Sequence, residues 1–322
     1  MGSQSFGLAP KLLVSHAYAG APGGPTEKFI LRMSQVTDIL LDSGAFTAFT
    51  QGVEITVDDY CERLERLGEH VWQYITLDVV ENREQTRINL AEMRRRGFSP
   101  MAVFTLDEEY AAVPELIDGN LHLCVAGGVS QPTDWYSARI EKVWRTSGKK
   151  ALLHGLGYTR GAAPLRSRVH SIDSSTWAVG SRYGNVTIYS PATATLRQRN
   201  WRRLVERKPV SEWPKGLASL VMSSGIRKKD LQNANSGGEK SLVSLLTYYA
   251  WTQYAREAWR RGIRMFFAGA NPNNFLQLMI VWRCTTQKSF DFSAVQKLQT
   301  RVAPYLERKD YLGAAQEVLD GP

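Results

Sequence analysis

Leu40-Leu41-Asp42-Ser43-Gly44-Ala45-Phe46 places a carboxylate, a hydroxyl, a glycine and an aromatic ring directly after the apolar run 39–41. An unbroken apolar run of strand length marks a strand buried on both faces of a parallel sheet. Asp42 then falls at the carboxyl end of that strand, where barrel and open α/β enzymes carry their chemistry. The same residues also spell a turn, with Asp42 or Ser43 capping the next helix and Gly44 reversing the chain.

Outward from this stretch the theme repeats: an apolar run, a polar or glycine-bearing end, then an amphipathic segment. The runs are 11–17, 38–46, 72–79, 101–107, 121–128, 151–157 and 169–175, with 263–268 as an eighth. Helix signals lie between them, as in Thr56-Val57-Asp58-Asp59 opening 56–67 and Gly97 closing 83–96. Alternation of this kind predicts βαβ units and a parallel sheet. The marks at Asp42, Asp78, Asp107, Gly127, His154 and Asp173 are 36, 29, 20, 27 and 19 residues apart, against the roughly 31 per unit of an eight-stranded barrel, which fits a shortened barrel. The fold class expected is therefore α/β, a TIM-like (β/α)8 barrel formed as a single domain over 1–322. A basic insertion, 178–238, is expected between strands seven and eight, followed by a long helix over 239–261 and closing helices over 275–319.

Of 322 residues, 43% are hydrophobic and 22% charged, which is a globular composition. No apolar stretch reaches the roughly 18 residues of a membrane span, and no secretion or myristoylation pattern opens the chain. A cytoplasmic protein is expected. Cys61, Cys124 and Cys284 are too scattered for a disulfide framework or a zinc site. Net charge is +9, and the excess is clustered at 94–96, 197–208, 227–229 and 260–264. A polyanionic partner follows. The 94–96 cluster reads as a solvated helix face. By contrast, 197–208 sets six cations around Trp201 and reads as a phosphate contact.

The strand ends present Asp42, Ser43, Asp78, Asp107, Gly127, Gly128, His154 and Asp173 in one register. Two carboxylates from different strands can divide a glycosyl transfer, one as nucleophile and one as acid and base. Asp42 and Asp173 suit that division. Gly127 and Gly128 either let backbone approach a ligand or let strand pack against helix. His122 and Cys124 share a strand face but lack a third metal ligand, so no metal is assigned. His154, in His154-Gly155-Leu156-Gly157, is a pocket candidate beside the alternative of a core histidine.

These residues carry a resemblance. Asp42-Ser43-Gly44-Ala45-Phe46 resembles the Asp-Ser-Gly-Gly-Phe motif of the tRNA-guanine transglycosylase family, and four later marks follow in the family's order. Leu77-Asp78 is similar to the strand with the base-reading aspartate, and Ala126-Gly127-Gly128 to the glycine loop. Leu153-His154-Gly155-Leu156-Gly157 is similar to the Met-Gly-Val-Gly strand, and Ser171-Ile172-Asp173 to the nucleophile strand. The resemblance covers residues 38–184. It implies a TIM barrel that exchanges guanine for a 7-deazaguanine through a covalent aspartyl-sugar intermediate, with Asp173 as nucleophile and Asp42 managing protons. Ser43, Gly44, Phe46, Asp78, Gly127, Gly128, His154 and Gly155 would bind the base, Phe46 and His154 by stacking.

The departures are specific. The family's zinc site has no counterpart, Ala45 replaces a glycine and His154 a methionine, and the second aspartate expected three residues on is Thr176. A strict alignment would put Thr176 in the nucleophile's place. A zinc-free, basic version looks most like the phage branch that puts 7-deazaguanines into DNA. The expectation is a pentosyltransferase acting on DNA and a free 7-deazaguanine such as 7-cyano-7-deazaguanine, without cofactor, metal or membrane; a homodimer is allowed. The alternatives are tRNA as substrate (queuosine or archaeosine type) and a non-catalytic nucleic-acid-binding homologue. Arg182, Arg197, Arg199, Arg202, Arg203, Arg227 and Lys228 are the expected nucleic-acid contacts. Trp177, Tyr183 and Trp201 would support an extruded base, or else pack in the core.

Overall fold

The computed structural model describes residues 7, 9–128, 131–179, 183–207, 209–224, 226, 230–231, 241–285 and 290–321. Their strands are β1 (Lys11–Ser15), β2 (Ile39–Asp42), β3 (Gln73–Tyr74), β4 (Ala102–Phe104), β5 (His122–Val125), β6 (Leu152–Gly155), β7 (Ser171–Ser174), β8 (Asn185–Ser190), β9 (Thr195–Asn200) and β10 (Arg264–Gly269). The chain divides into two compact units, one of Lys11–Ser174 with Gly262–Ala270, the other of Met1–Pro10, Ser175–Arg261 and Asn271–Pro322.

The first unit is an α/β structure around one curled sheet of eight strands in the order β3-β2-β1-β10-β7-β6-β5-β4, with every ladder parallel. Its strands are the eight expected from the alternation. A fully paired closed barrel is not formed. Because β3 is only two residues long, the edges β3 and β4 meet at the single bridge Ile75–Met101. There Met101 N donates to Tyr74 O and Thr76 N to Met101 O, each at 2.9 Å.

Successive residues of a strand point to opposite faces, and β2 shows what that does here. Leu40 joins an inner cluster with Leu13, Ile75, Met101, Val103, Cys124 and Phe266. Leu41 joins an outer one with Tyr60, Cys61, Leu64, Leu77 and Met93, under the helices Val57–Leu67 and Arg83–Arg95. Each fully buried leucine contributes about 1.5–3 kcal/mol, so both faces hold the register. Asp42, two residues beyond Leu40, is thereby fixed on the inner face.

Both helices start where their caps dictate, with Thr56 Oγ1 accepting from Asp59 N at 3.1 Å and Asn82 Oδ1 from Gln85 N at 3.0 Å. At the amino ends of the strands, Trp72 stacks on Phe266 with centroids 5.1 Å apart and meets His122 edge-on at 5.2 Å. Arg264 bonds His170 Nε2 at 2.6 Å and Asp38 at 3.3 Å. His122 and Cys124 are thus packed in place, and among the described residues no group of three His, Cys, Asp or Glu is set to hold a metal.

In the second unit, β8 and β9 pair as an antiparallel ribbon, with Thr187 N donating to Thr247 Oγ1 of the helix Leu242–Arg260 at 3.1 Å. The arginines that alternate along β9 hide that strand from a reading of the sequence. Ser241 caps Leu242–Arg260, and the helices Pro272–Arg283, Phe292–Glu307 and Tyr311–Asp320 follow. Trp177 is fully buried and stacked on Phe275 at 5.6 Å, and Trp201 is 2% exposed against Trp213. Those two tryptophans are core, which corrects the extrusion reading; Tyr183 is 73% exposed. No helix among the described residues is long and apolar enough to cross a membrane.

Candidate active site

The carboxyl ends of β2, β6 and β7 carry the site, and strand register decides its membership. Asp42 ends β2 opposite Ser15 of β1. His154 of β6 lies between Cys124 of β5 and Ser171 of β7, while Asp173 lies opposite Phe266. Since Cys124 and Phe266 belong to the inner cluster, His154 and Asp173 share the inner face with Asp42.

The 42–46 stretch is both turn and site. Asp42 Oδ2 accepts from Gly44 N at 3.0 Å and Ser43 Oγ from Ala45 N at 3.3 Å, local bonds that shape the turn. Gly44 has φ 88°, and a Cβ there would lie 3.0 Å from both Ala17 and Ile55, so only glycine serves. Ser43, fully buried, donates to Asp78 Oδ1 at 2.9 Å and ties the end of β2 to the segment after β3.

Electrostatics couples the three acids. Burial, then the Asp78 carboxylate and to a smaller extent that of Asp173, push Asp42 up to about 7, against the lowering bond from Gly44. Burial likewise raises Asp78, with the Ser43 hydroxyl opposing. Both side chains nonetheless keep intermediate solvent access. Cys124, fully buried below them, is raised well above its ordinary value by burial and then by the charges of Asp78, Asp42 and Asp173. Neighbouring like charges resist simultaneous ionisation, so Asp42 changes charge around neutrality rather than in the ordinary carboxylate range.

Asp173, 8% exposed, accepts at Oδ1 from Gly157 N at 2.7 Å and contacts His154 Nε2 at 3.2 Å. His154 Nδ1 contacts Ser171 Oγ at 2.8 Å. Both His154 and Ser171 are fully buried. Serine, histidine and aspartate thus form a chain whose serine end is sealed and whose carboxylate end is the more open. That order excludes Ser171 as a hydrolase-type nucleophile and favours Asp173 as the reactive end. Thr176 instead opens the short helix Thr176–Val179.

The other expected residues divide. Phe46 is 62% exposed on the helix Ala45–Gln51, free to stack, with Phe49 beside it at 55%. Gly127 serves packing: a Cβ there would lie 2.1 Å from the Tyr136 ring, whose hydroxyl donates to Val125 O and to Leu156 O. Gly128 makes a left-handed turn at φ 68°. Gly155 is likewise closed by Tyr158, whose Cβ would lie 2.8 Å away. Asp107 is exposed and turned to the Thr105 hydroxyl at 2.8 Å, outside the constellation.

Sequence reasoning missed Ser15, Gly157 and the role of Ser171. Ser15 Oγ is buried beside Asp42 and outside hydrogen-bond geometry, yet close enough to lower its pKa slightly. Ser171 carried a signal, since residues two apart on a strand share a face and Asp173 was already a candidate. For Ser15 and Gly157 the partner depends on cross-strand register, which no local pattern carries.

The basic clusters separate by their partners. Arg95 and Arg96 pair with Glu92 at 2.7 and 2.6 Å, Arg94 Nη2 donates to Asp118 O at 2.7 Å, and Arg260 and Arg261 pair with Glu257. Arg197, Arg199, Arg202 and Arg203 are exposed on β9 and the helix Trp201–Arg207, and among the described residues no carboxylate pairs with them. Arg182, Arg227 and Lys228 lie outside the described residues.

No protein-family model matches the chain, and no curated protein does.

Proposed function

We propose that this chain is a guanine transglycosylase that exchanges guanine in DNA for a 7-deazaguanine, on a TIM-like scaffold with 178–238 as a nucleic-acid-binding insertion. The observation that carries the reading is the convergence of Asp42, raised to about 7, with Asp78 and a separately anchored Asp173. Two carboxylates with different environments can take the acid and the nucleophile roles at one pH.

In the first half, an oxygen of Asp173 attacks the anomeric carbon, the carbon–nitrogen bond to guanine breaks, and its electron pair leaves with the base, which takes the proton of Asp42. In the second half, Asp42 accepts the ring N–H proton of the incoming base as that nitrogen attacks the anomeric carbon. The ester bond breaks and its electron pair returns to Asp173. Two inversions retain configuration. Asp78 would pair with the base's ring NH and amino groups, and Phe46 would stack on it. No redox group is needed.

The polymer is assigned from the resemblance to the phage branch, and the unpaired arginines would supply phosphate affinity. Arg202 and Arg203 changed together to alanine are expected to flatten the log–log salt dependence of duplex DNA binding by up to about two, at roughly 0.9 per phosphate contact. An unchanged slope would make the cluster a solvated surface only. The activity itself is tested by nucleoside mass spectrometry of DNA and tRNA from cells that express the chain and have a supply of 7-deazaguanine. Modified DNA with unmodified tRNA is expected. Modified tRNA alone would reassign the polymer, and modification of neither would remove base exchange as the function.

A further inference from the structure

Asp173 Oδ1 receives both bonds described above, from the Gly157 N–H and from the His154 ring, and among the described residues no hydrogen bond reaches Oδ2. The His154 ring is held in turn: it is fully buried between its ladder neighbours, Nδ1 is against the Ser171 hydroxyl, and its edge meets the Phe266 ring at 6.2 Å. A ring with both nitrogens engaged and no exposed face is badly suited to stacking on a base. It is well suited to fixing a carboxylate.

We infer that His154 is a positioning residue for Asp173, donating from Nε2–H to Oδ1 so that Oδ2 alone is free to attack, with the Ser171 hydroxyl donating to Nδ1 and selecting that tautomer. The inference rests on Asp173 being the nucleophile of the proposed exchange. Which ring nitrogen carries the proton follows from the partner of the other. An ionised Asp173 is acceptor only, so Nε2 must be the donor; the buried serine can then supply Nδ1 with its own proton.

The consequence falls unequally on the two halves of the reaction. When Oδ2 is bonded to the sugar, Oδ1 is the carbonyl oxygen of an ester, and negative charge returns to it as that ester breaks. Two N–H donors aimed at Oδ1 stabilise the departing carboxylate more than the ester, as an oxyanion hole does. They therefore speed breakdown of the intermediate and hold the Asp173 ester at low occupancy. Removing the His154 donor should slow turnover and let the adduct build up.

The test compares His154→Asn, whose amide is too short to reach Asp173, with His154→Gln, whose amide nitrogen replaces Nε2. Exchange and the steady-state fraction of covalent adduct are measured on substrate DNA with free base. His154→Asn is expected to lower kcat by on the order of 10²–10³, with a raised adduct fraction and unchanged KM for the free base. His154→Gln is expected to recover to within about tenfold of the parent, and Ser171→Ala to shift in the same direction as His154→Asn but less. Equal kcat and adduct fraction in parent and His154→Asn would overturn the inference while leaving Asp173 as nucleophile; absence of base exchange in the parent would instead overturn the exchange reading beneath it. A measurement on the unaltered protein guards against variants that fail to fold. Nitrogen-15 NMR of the His154 ring should show a protonated Nε2, and a bare Nε2 with a protonated Nδ1 would overturn the inference directly.

Discussion

Asp173→Ala is expected to abolish both base exchange and any covalent adduct with nucleic acid trapped in the presence of a base analogue. The loss of turnover should be on the order of 10⁴-fold or more, the scale seen when a covalent nucleophile is removed. Asp42 and Asp78 cannot replace it. Burial raises both, and Asp42 is engaged by the Gly44 N–H and Asp78 by the Ser43 hydroxyl. An adduct that persists in Asp173→Ala would show that another residue attacks, and the role of Asp173 would fall with it.

The second large effect concerns Asp42→Asn, which should slow exchange by about 10²–10⁴ through loss of proton transfer and at the same time stabilise the fold above neutrality. The sign follows from linkage. Asp42 is raised from its ordinary 3.8 to about 7, so between those values the folded protein holds more protons than the unfolded chain. Stability from this group is complete below about pH 4 and is lost as pH rises through about 7. The gap corresponds to roughly 4 kcal/mol at most; shared with Asp78 and Asp173 and partly solvated, it should amount to about 2–3 kcal/mol. Urea unfolding of parent and Asp42→Asn at pH 8 should differ by that amount in favour of the variant, and the difference should vanish near pH 4. The asparagine keeps an acceptor for Gly44 N, so the turn survives. A variant less stable than the parent at both pH values would mean that the carboxylate is not the strained group. In the parent, exchange should decline above about pH 7 as Asp42 loses the proton that the departing base needs.

Both effects belong to one trade. If the proposed exchange is right, a site that keeps Ser43, His154 and Ser171 fully buried around three acids gives up stability for chemistry. The outer cluster and its capped helices bear that cost, being set by strong local signals that do not depend on the site.

By itself the sequence determined that eight strands lie in 11–174 and 263–268 and about where each begins, while several of the runs extend past the ends of the strands they contain. Apolar runs of strand length separated by helical periods leave little else for residues 11–174, and Thr56, Asn82, Ser241 and Gly44 act through bonds within a few residues. It determined too that Asp42, Asp78 and Asp173 stand at the same ends of their strands, because that position is a local property of each run. Tertiary structure alone decided what those residues meet. Ladder register set Ser15 against Asp42 and Ser171 against His154, turned His154 from a stacking candidate into a clamp on Asp173, and excluded Asp107. It also decided which arginines are spent on carboxylates and which are not, and made Gly127 and Gly155 packing positions through Tyr136 and Tyr158. The physical reason is range. Helix caps, turns and strand runs are fixed by neighbours along the chain, whereas a pKa near 7 or a shared hydrogen bond is a sum over groups tens of residues apart, and only the folded sheet brings those within a few ångströms.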